Sequence, residues 1–149
     1  MAVVGARNVR HLLLYGTLGT GEPAHAALGL PGVLELLGPR IVAGTLYDLG
    51  EYPGIVLGRG ATWAELYRIL DAALLGRLDA YEGFAAHDPQ GSLFVRTAVR
   101  VRRFAHAPAP RVTAWIYVFN GAGHGRPAII GGSWREHRRA HAGARLERR

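Results

Sequence analysis

The sequence predicts an α+β fold of short strands and short helices, and three observations carry that expectation. The apolar run His11 to Tyr15 has the length and composition of a strand buried on both faces. Residues Phe94 to Phe104 alternate Val95, Thr97, Val99 and Val101 with Arg96, Ala98, Arg100 and Arg102, the period of a strand with one wet, arginine-lined face. Between them, Leu74, Leu75, Leu78 and Tyr81 fall at helical spacing. With 49% hydrophobic against 19% charged residues in 149, the chain can bury a core of single-domain size.

The elements follow in order. The strand His11 to Tyr15 runs directly into a glycine-rich loop, Gly16-Thr17-Leu18-Gly19-Thr20-Gly21. Glu22-Pro23 starts a short helix, with proline at its first position and Ala24 to Leu30 as its body. Arg40 to Leu49 reads as a strand, Tyr52-Pro53-Gly54 as a turn, and Ile55 to Leu57 as another short strand. The stretch Ala61 to Leu70 carries a helix-like start in Thr62-Trp63-Ala64-Glu65. Its order of small, polar, Leu, Tyr, charged and aliphatic residues repeats that of Gly44 to Leu49, so a strand is expected. Asp71 is the expected N-cap of the helix over residues 72–81, and Gly83 closes it. Arg111 to Phe119 is a further strand. A single domain over residues 1–134 is expected, with an Arg-rich tail, 135–149, that frays or forms a solvated helix around six arginines.

Composition excludes several chemistries. The 18 basic residues are all arginine and cysteine is absent. Thiolate nucleophiles, disulfides, lysine Schiff bases and a lysine-dependent phosphate loop are therefore all ruled out. The run Leu12 to Tyr15 is too short for a secretory core or a membrane span, so a cytoplasmic protein without a membrane partner is expected. The net charge of +7 is uneven: six Arg face nine acidic residues over 1–95, whereas twelve Arg face two Glu over 96–149.

Glu82 is the residue that asks for a use. It falls four after Leu78 and seven after Leu75, on the apolar face of its helix, where a carboxylate is costly. It also ends that helix, beside exposed carbonyls whose partial negative charge opposes a second one. Both effects raise its pKa toward the range of a general acid or base at neutral pH. The alternative is a structural carboxylate held by an arginine or a backbone amide. The loop Tyr15-Gly16-Thr17-Leu18 exposes successive backbone N–H groups, a cradle for a carboxylate or an oxyanion, or else an ordinary turn in which glycine supplies positive φ. His137 and His141 are spaced for one helix face, but they lie among arginines that repel a cation, and no metal site is expected.

Jointly, Tyr15-Gly16-Thr17-Leu18, then Gly44-Thr45-Leu46-Tyr47-Asp48 with Tyr52-Pro53-Gly54, then Leu78-Asp79-Ala80-Tyr81-Glu82-Gly83 resemble the gamma-glutamylcyclotransferase-like superfamily, over roughly residues 10–120. That superfamily includes the avirulence-induced proteins and the gamma-glutamylamine cyclotransferases. The resemblance implies a small mixed β-barrel flanked by short helices. It implies Glu82 as the proton acceptor, and Tyr15, Gly16, Thr17 and Leu18 as the cradle of a substrate's glutamyl end, with Tyr117 as a late tyrosine of the pocket. The implied reaction closes a γ-glutamyl amide or peptide, a small-molecule partner, into 5-oxoproline and a free amine, with no cofactor. The chain departs from the family pattern at Gly19, where a basic residue is frequent, and at Phe94, where a tyrosine is. The competing expectation is a non-catalytic module that holds an anionic partner through the Arg-rich C-terminal third; nucleic acid is not the expected partner, because arginines without interleaved aromatics are a weak signal.

Overall fold

The computed structural model describes residues 9–104, 110–121 and 125–147, the last six without their side chains. His106, His124 and the final two arginines lie outside the described residues. Five strands, β1 (His11–Leu14), β2 (Leu34–Asp48), β3 (Pro53–Ile69), β4 (Phe94–Arg102) and β5 (Arg111–Phe119), form one sheet in the order β2-β3-β1-β5-β4. Among the described residues three α-helices accompany it, α1 (Pro23–Ala27), α2 (Leu74–Glu82) and α3 (Trp134–Glu147), with one 3-10 turn at Leu30–Gly32. The sheet is mixed, since β1 pairs antiparallel with β3 and parallel with β5. Among the described residues no helix is long and apolar enough to cross a membrane.

The uninterrupted apolar run of β1 is explained by its central place. Leu13 packs with Val42, Leu46, Leu66 and Ile116 on one side of the sheet, while Leu12 and Leu14 pack with Leu74, Leu78 and Tyr117 on the other. Period-two alternation thus feeds two cores from one tetrapeptide. Beyond Leu14 the chain leaves the sheet, and the first half of β3 takes the vacated place beside β5 by pairing Ile55 with Val118. A gap at the end of a short central strand is the structural origin of the cavity described below.

Ala61 to Leu70 is extended, as the internal repeat predicts, but it continues the Ile55 to Leu57 strand rather than starting a new one. The register between β2 and β3 steps from Ala43↔Ala61 to Gly44↔Leu57. The step bulges residues 58–60 out of the ladder, with Gly58 and Gly60 at positive φ. Likewise β2 begins at Leu34, six residues before the expected start, and the turn lies before Pro53 rather than over residues 52–54.

The sheet is not closed as a barrel, in contrast to the shape the resemblance implies. The outer strands β2 and β4 form no ladder; instead the buried Arg40 of β2 reaches across, donating Nε to the carbonyl of Arg102 (2.9 Å) and Nη2 to that of Arg103 (2.7 Å). One guanidinium fork supplies there the donors that a neighbouring strand would have provided.

The tail is a docked helix rather than a frayed or wholly solvated one. Trp134 is buried in the core at its first turn, His137 Nε2 lies 2.9 Å from Asp48 Oδ2, and Arg138 Nη2 donates to both oxygens of the buried Glu22 at 2.8 and 2.9 Å. The approach to this helix depends on Gly132, which has φ +68° and whose Cβ, if present, would collide with the carbonyl oxygen of Ala61. Gly132→Ala therefore combines left-handed strain with a backbone clash. It is expected to cost about 2–4 kcal/mol, read as a thermal midpoint lowered by roughly 5–15 °C.

Candidate functional site

Helix α2 ends at Glu82, and Gly83 stops it with φ 68° while the N–H of Phe84 returns to the carbonyl of Asp79 at 2.9 Å. Ala73 rather than Asp71 occupies the N-cap position; Asp71 Oδ1 instead accepts the N–H of Ala73 at 3.0 Å, one turn before the helix. Leu74 and Leu78 are fully buried, so the helix is anchored by its apolar stripe and carries Glu82, on the same stripe, to the rim of the gap left by β1.

A cavity of about 240 Å³ fills that gap. Tyr15, Gly16, Thr17 and Leu18 line it together with Glu82 of α2, while Tyr117 contributes to the lining from β5. All six residues singled out in the sequence therefore meet in one cavity. The remaining walls are Leu13, Leu14, Tyr52, Pro53, Tyr81, Leu93 and Phe94.

Burial raises the Glu82 carboxyl from 4.5 to about 7. Among the described residues its carboxylate has no hydrogen-bond partner and no ion pair, so the arginine or amide that a structural role would supply is not there. The loop offers the complementary polarity. Among the described residues the N–H groups of Gly16, Thr17 and Leu18 meet no protein acceptor, whereas Gly19 N–H closes the turn onto the Gly16 carbonyl at 3.1 Å. Gly16 is not at positive φ; glycine is needed because a Cβ would come within 2.7 Å of Pro53 Cγ. Farther on, Leu18 is fixed through its carbonyl, which lies 2.8 Å from His25 Nδ1.

The two tyrosines act on the frame. Tyr15 donates its hydroxyl to the carbonyl of Tyr117 at 2.6 Å and accepts the N–H of Ile55 at 3.2 Å, and burial pushes its pKa well above the usual range. Tyr117 donates its hydroxyl to Asp79 Oδ1 at 2.6 Å. Asp79 is clamped in turn by Arg96, whose Nε donates to Oδ1 at 2.9 Å and whose Nη2 donates to Oδ2 at 3.2 Å. The Arg96 guanidinium is 4.5 Å from the Trp115 ring centre and 5.8 Å from that of Phe84. Arg96 is thus enclosed against α2, not part of a wet strand face, because Asp79 of the helix offers it a fork-matched partner.

Asp79 and Arg96 were not among the candidates drawn from the sequence. The readable signal was weak but present: Asp79 precedes Glu82 by three residues, so the two share a helix side, and Arg96 is the first of the three arginines that alternate along the Phe94 to Arg102 segment.

Residues 12–136 match the family described as gamma-glutamyl cyclotransferase, AIG2-like. The gamma-glutamylcyclotransferase family protein YtfP of Escherichia coli K12 is 35% identical over 89 residues, 60% of this chain and 66% of the relative. This chain thus spans just under two thirds of that relative. A Vibrio cholerae protein provisionally named a gamma-glutamylcyclotransferase is 32% identical over 127 residues, 85% of this chain and 96% of the relative. Among solved structures, an AIG2-like protein from Mus musculus superposes with a TM-score of 0.63 at 23% identity, covering 83% of this chain and 86% of that one, which bears on the fold alone. With the fold, the assembled cavity and the match over residues 12–136 in agreement, the chain belongs to the gamma-glutamyl cyclotransferase, AIG2-like family.

Proposed function

We propose that the protein releases 5-oxoproline and a free amine from a γ-glutamyl amide by intramolecular aminolysis. The observation that carries this reading is a partnerless carboxyl poised near neutrality, Glu82, in the same cavity as the free N–H groups of Gly16, Thr17 and Leu18. Such a substrate brings its own nucleophile, so the protein's task is to fold the glutamyl chain and move protons. Ionised Glu82 accepts a proton from the α-ammonium. The freed amine attacks the γ-carbonyl carbon and a C–N bond forms in the five-membered ring; the attacking nitrogen then gives up its second proton, and the bond to the leaving nitrogen breaks as Glu82 passes the two protons in turn to that nitrogen, which departs as an ammonium. The backbone N–H groups of the loop hold the α-carboxylate or the oxygen that gains charge in the attack. Neither a metal nor an electron carrier enters the balance.

The test is direct. The purified chain, incubated with γ-glutamyl amides and peptides, is expected to produce 5-oxoproline and free amine in equal amounts. Absence of both across the panel refutes the reading.

A further inference from the structure

The loop that carries the free N–H groups begins and ends beside one residue. Glu65 of β3 stands opposite Leu14, the last residue of β1, in their antiparallel ladder. Its side chain reaches past the turn and accepts the N–H of Thr20 at 2.9 Å, so its place in the ladder marks the entrance of the loop while its carboxylate holds the exit. A Cβ at Gly19 would lie 2.9 Å from Glu65 Oε1, and the glycine there is what lets the carboxylate through.

The protons around Thr20 all run toward this carboxylate. The hydroxyl of the buried Tyr67 lies 3.0 Å from Glu65 Oε1 and 2.6 Å from Thr20 Oγ1. A tyrosine hydroxyl has one proton and a carboxylate only accepts, so Tyr67 donates to Glu65 and Thr20 Oγ1 donates to Tyr67. Arg135 of α3 donates Nη2 to the Thr20 carbonyl at 2.7 Å. Every polar group of Thr20 is therefore held, whereas among the described residues the N–H groups of Gly16, Thr17 and Leu18 meet no protein acceptor. A glycine-rich loop left to itself samples many conformations, and a cradle of donors works only when it is fixed in advance. We infer that Glu65 is a positioning residue, which clasps the two ends of the loop and so fixes the N–H cradle without lining the cavity itself. This inference rests on the cyclisation proposed above and adds the residue that holds its anion cradle in place.

Three variants of the full chain isolate the clasp. Glu65→Ala is expected to lower kcat/KM for 5-oxoproline release from γ-glutamyl amides by about tenfold or more. Glu65→Gln, whose amide oxygen can accept the same two bonds, is expected to recover most of that loss. Gly19→Ala pushes the carboxylate aside; it is expected to lower kcat/KM in the wild-type background and to add little to Glu65→Ala, where no carboxylate remains to displace. Amide relaxation by NMR reads the loop without substrate: order parameters of Gly16, Thr17 and Leu18 are expected to fall from about 0.85 toward about 0.6 in Glu65→Ala, while those of α2 hold. Unchanged kcat/KM or unchanged loop order parameters in folded Glu65→Ala overturns the inference and leaves the cyclisation standing, as does a glutamine variant no faster than the alanine one. No 5-oxoproline from the wild type overturns the cyclisation itself, and the order parameters then decide the clasp alone.

Discussion

Glu82→Gln is expected to lower 5-oxoproline formation by about 10²–10⁴-fold, the span a positioned acid–base group contributes, while making the protein more stable above neutral pH. The two effects have one cause. Burial without a partner raises the carboxyl from 4.5 to about 7. The unfolded chain therefore loses this proton near pH 4.5 and the folded chain near pH 7, so between those values the folded state binds more protons. Stability from this group is fully present below pH 4.5 and is lost as pH rises through 7. The charged, partly wetted carboxylate then costs roughly 1–3 kcal/mol that glutamine does not. Thermal midpoints of the two proteins should diverge as pH rises from 5 to 8, with the variant higher. The wild-type rate should climb over the same interval, because the proton acceptor must be ionised. A glutamine variant that keeps wild-type turnover would refute the role, and one destabilised at pH 8 would mean the carboxylate has a structural partner after all.

What the sequence disclosed and what it withheld follow a physical division. A residue in conflict with its own element is visible locally. Glu82 announced itself as a charge on an apolar helix face, and the Gly16 loop as a sharp exit from a buried strand. The β1 run and the two similar segments around Tyr47 and Tyr67 marked extended chain in β1, in β2 and in the second half of β3, though not the bounds of the last two. Features that depend on which strands become neighbours were not visible. The open side bridged by Arg40 requires β2 and β4 to approach without pairing, and no local pattern marks an arginine as a substitute for a ladder. The continuity of β3 through Gly58 and Gly60 depends on a bulge against β2, where glycines read in isolation signal a break. Arg96 looked solvated because alternation reports only which side of the strand it leaves from, not that α2 covers that side with Asp79.

Asp79→Asn is expected to lower kcat by about 10–100-fold with little change in KM, because Asp79 holds two parts of the site in register without lining the cavity. Its carboxylate receives Arg96 from β4 and the Tyr117 hydroxyl from β5, while the Tyr117 carbonyl receives the Tyr15 hydroxyl at the entrance of the loop. A continuous chain of hydrogen bonds thus joins the helix bearing Glu82 to the wall bearing the free N–H groups. Asparagine removes the charge that Arg96 needs and one acceptor of the pair, with side-chain exposures of only 18% for Arg96 and 20% for Asp79, so the loss is not fully made good by water. Tyr117→Phe cuts the same chain at the next bond, while leaving the ring and the carbonyl to Tyr15 in place. The two substitutions should therefore be non-additive, the double variant falling little below Asp79→Asn alone. The pH profile separates positioning from electrostatics. Burial alone raises the Glu82 carboxyl, so its ionisation near 7 should persist in Asp79→Asn while the plateau rate drops. A profile displaced along the pH axis, with an unchanged plateau, would show Asp79 acting on Glu82 through its charge instead.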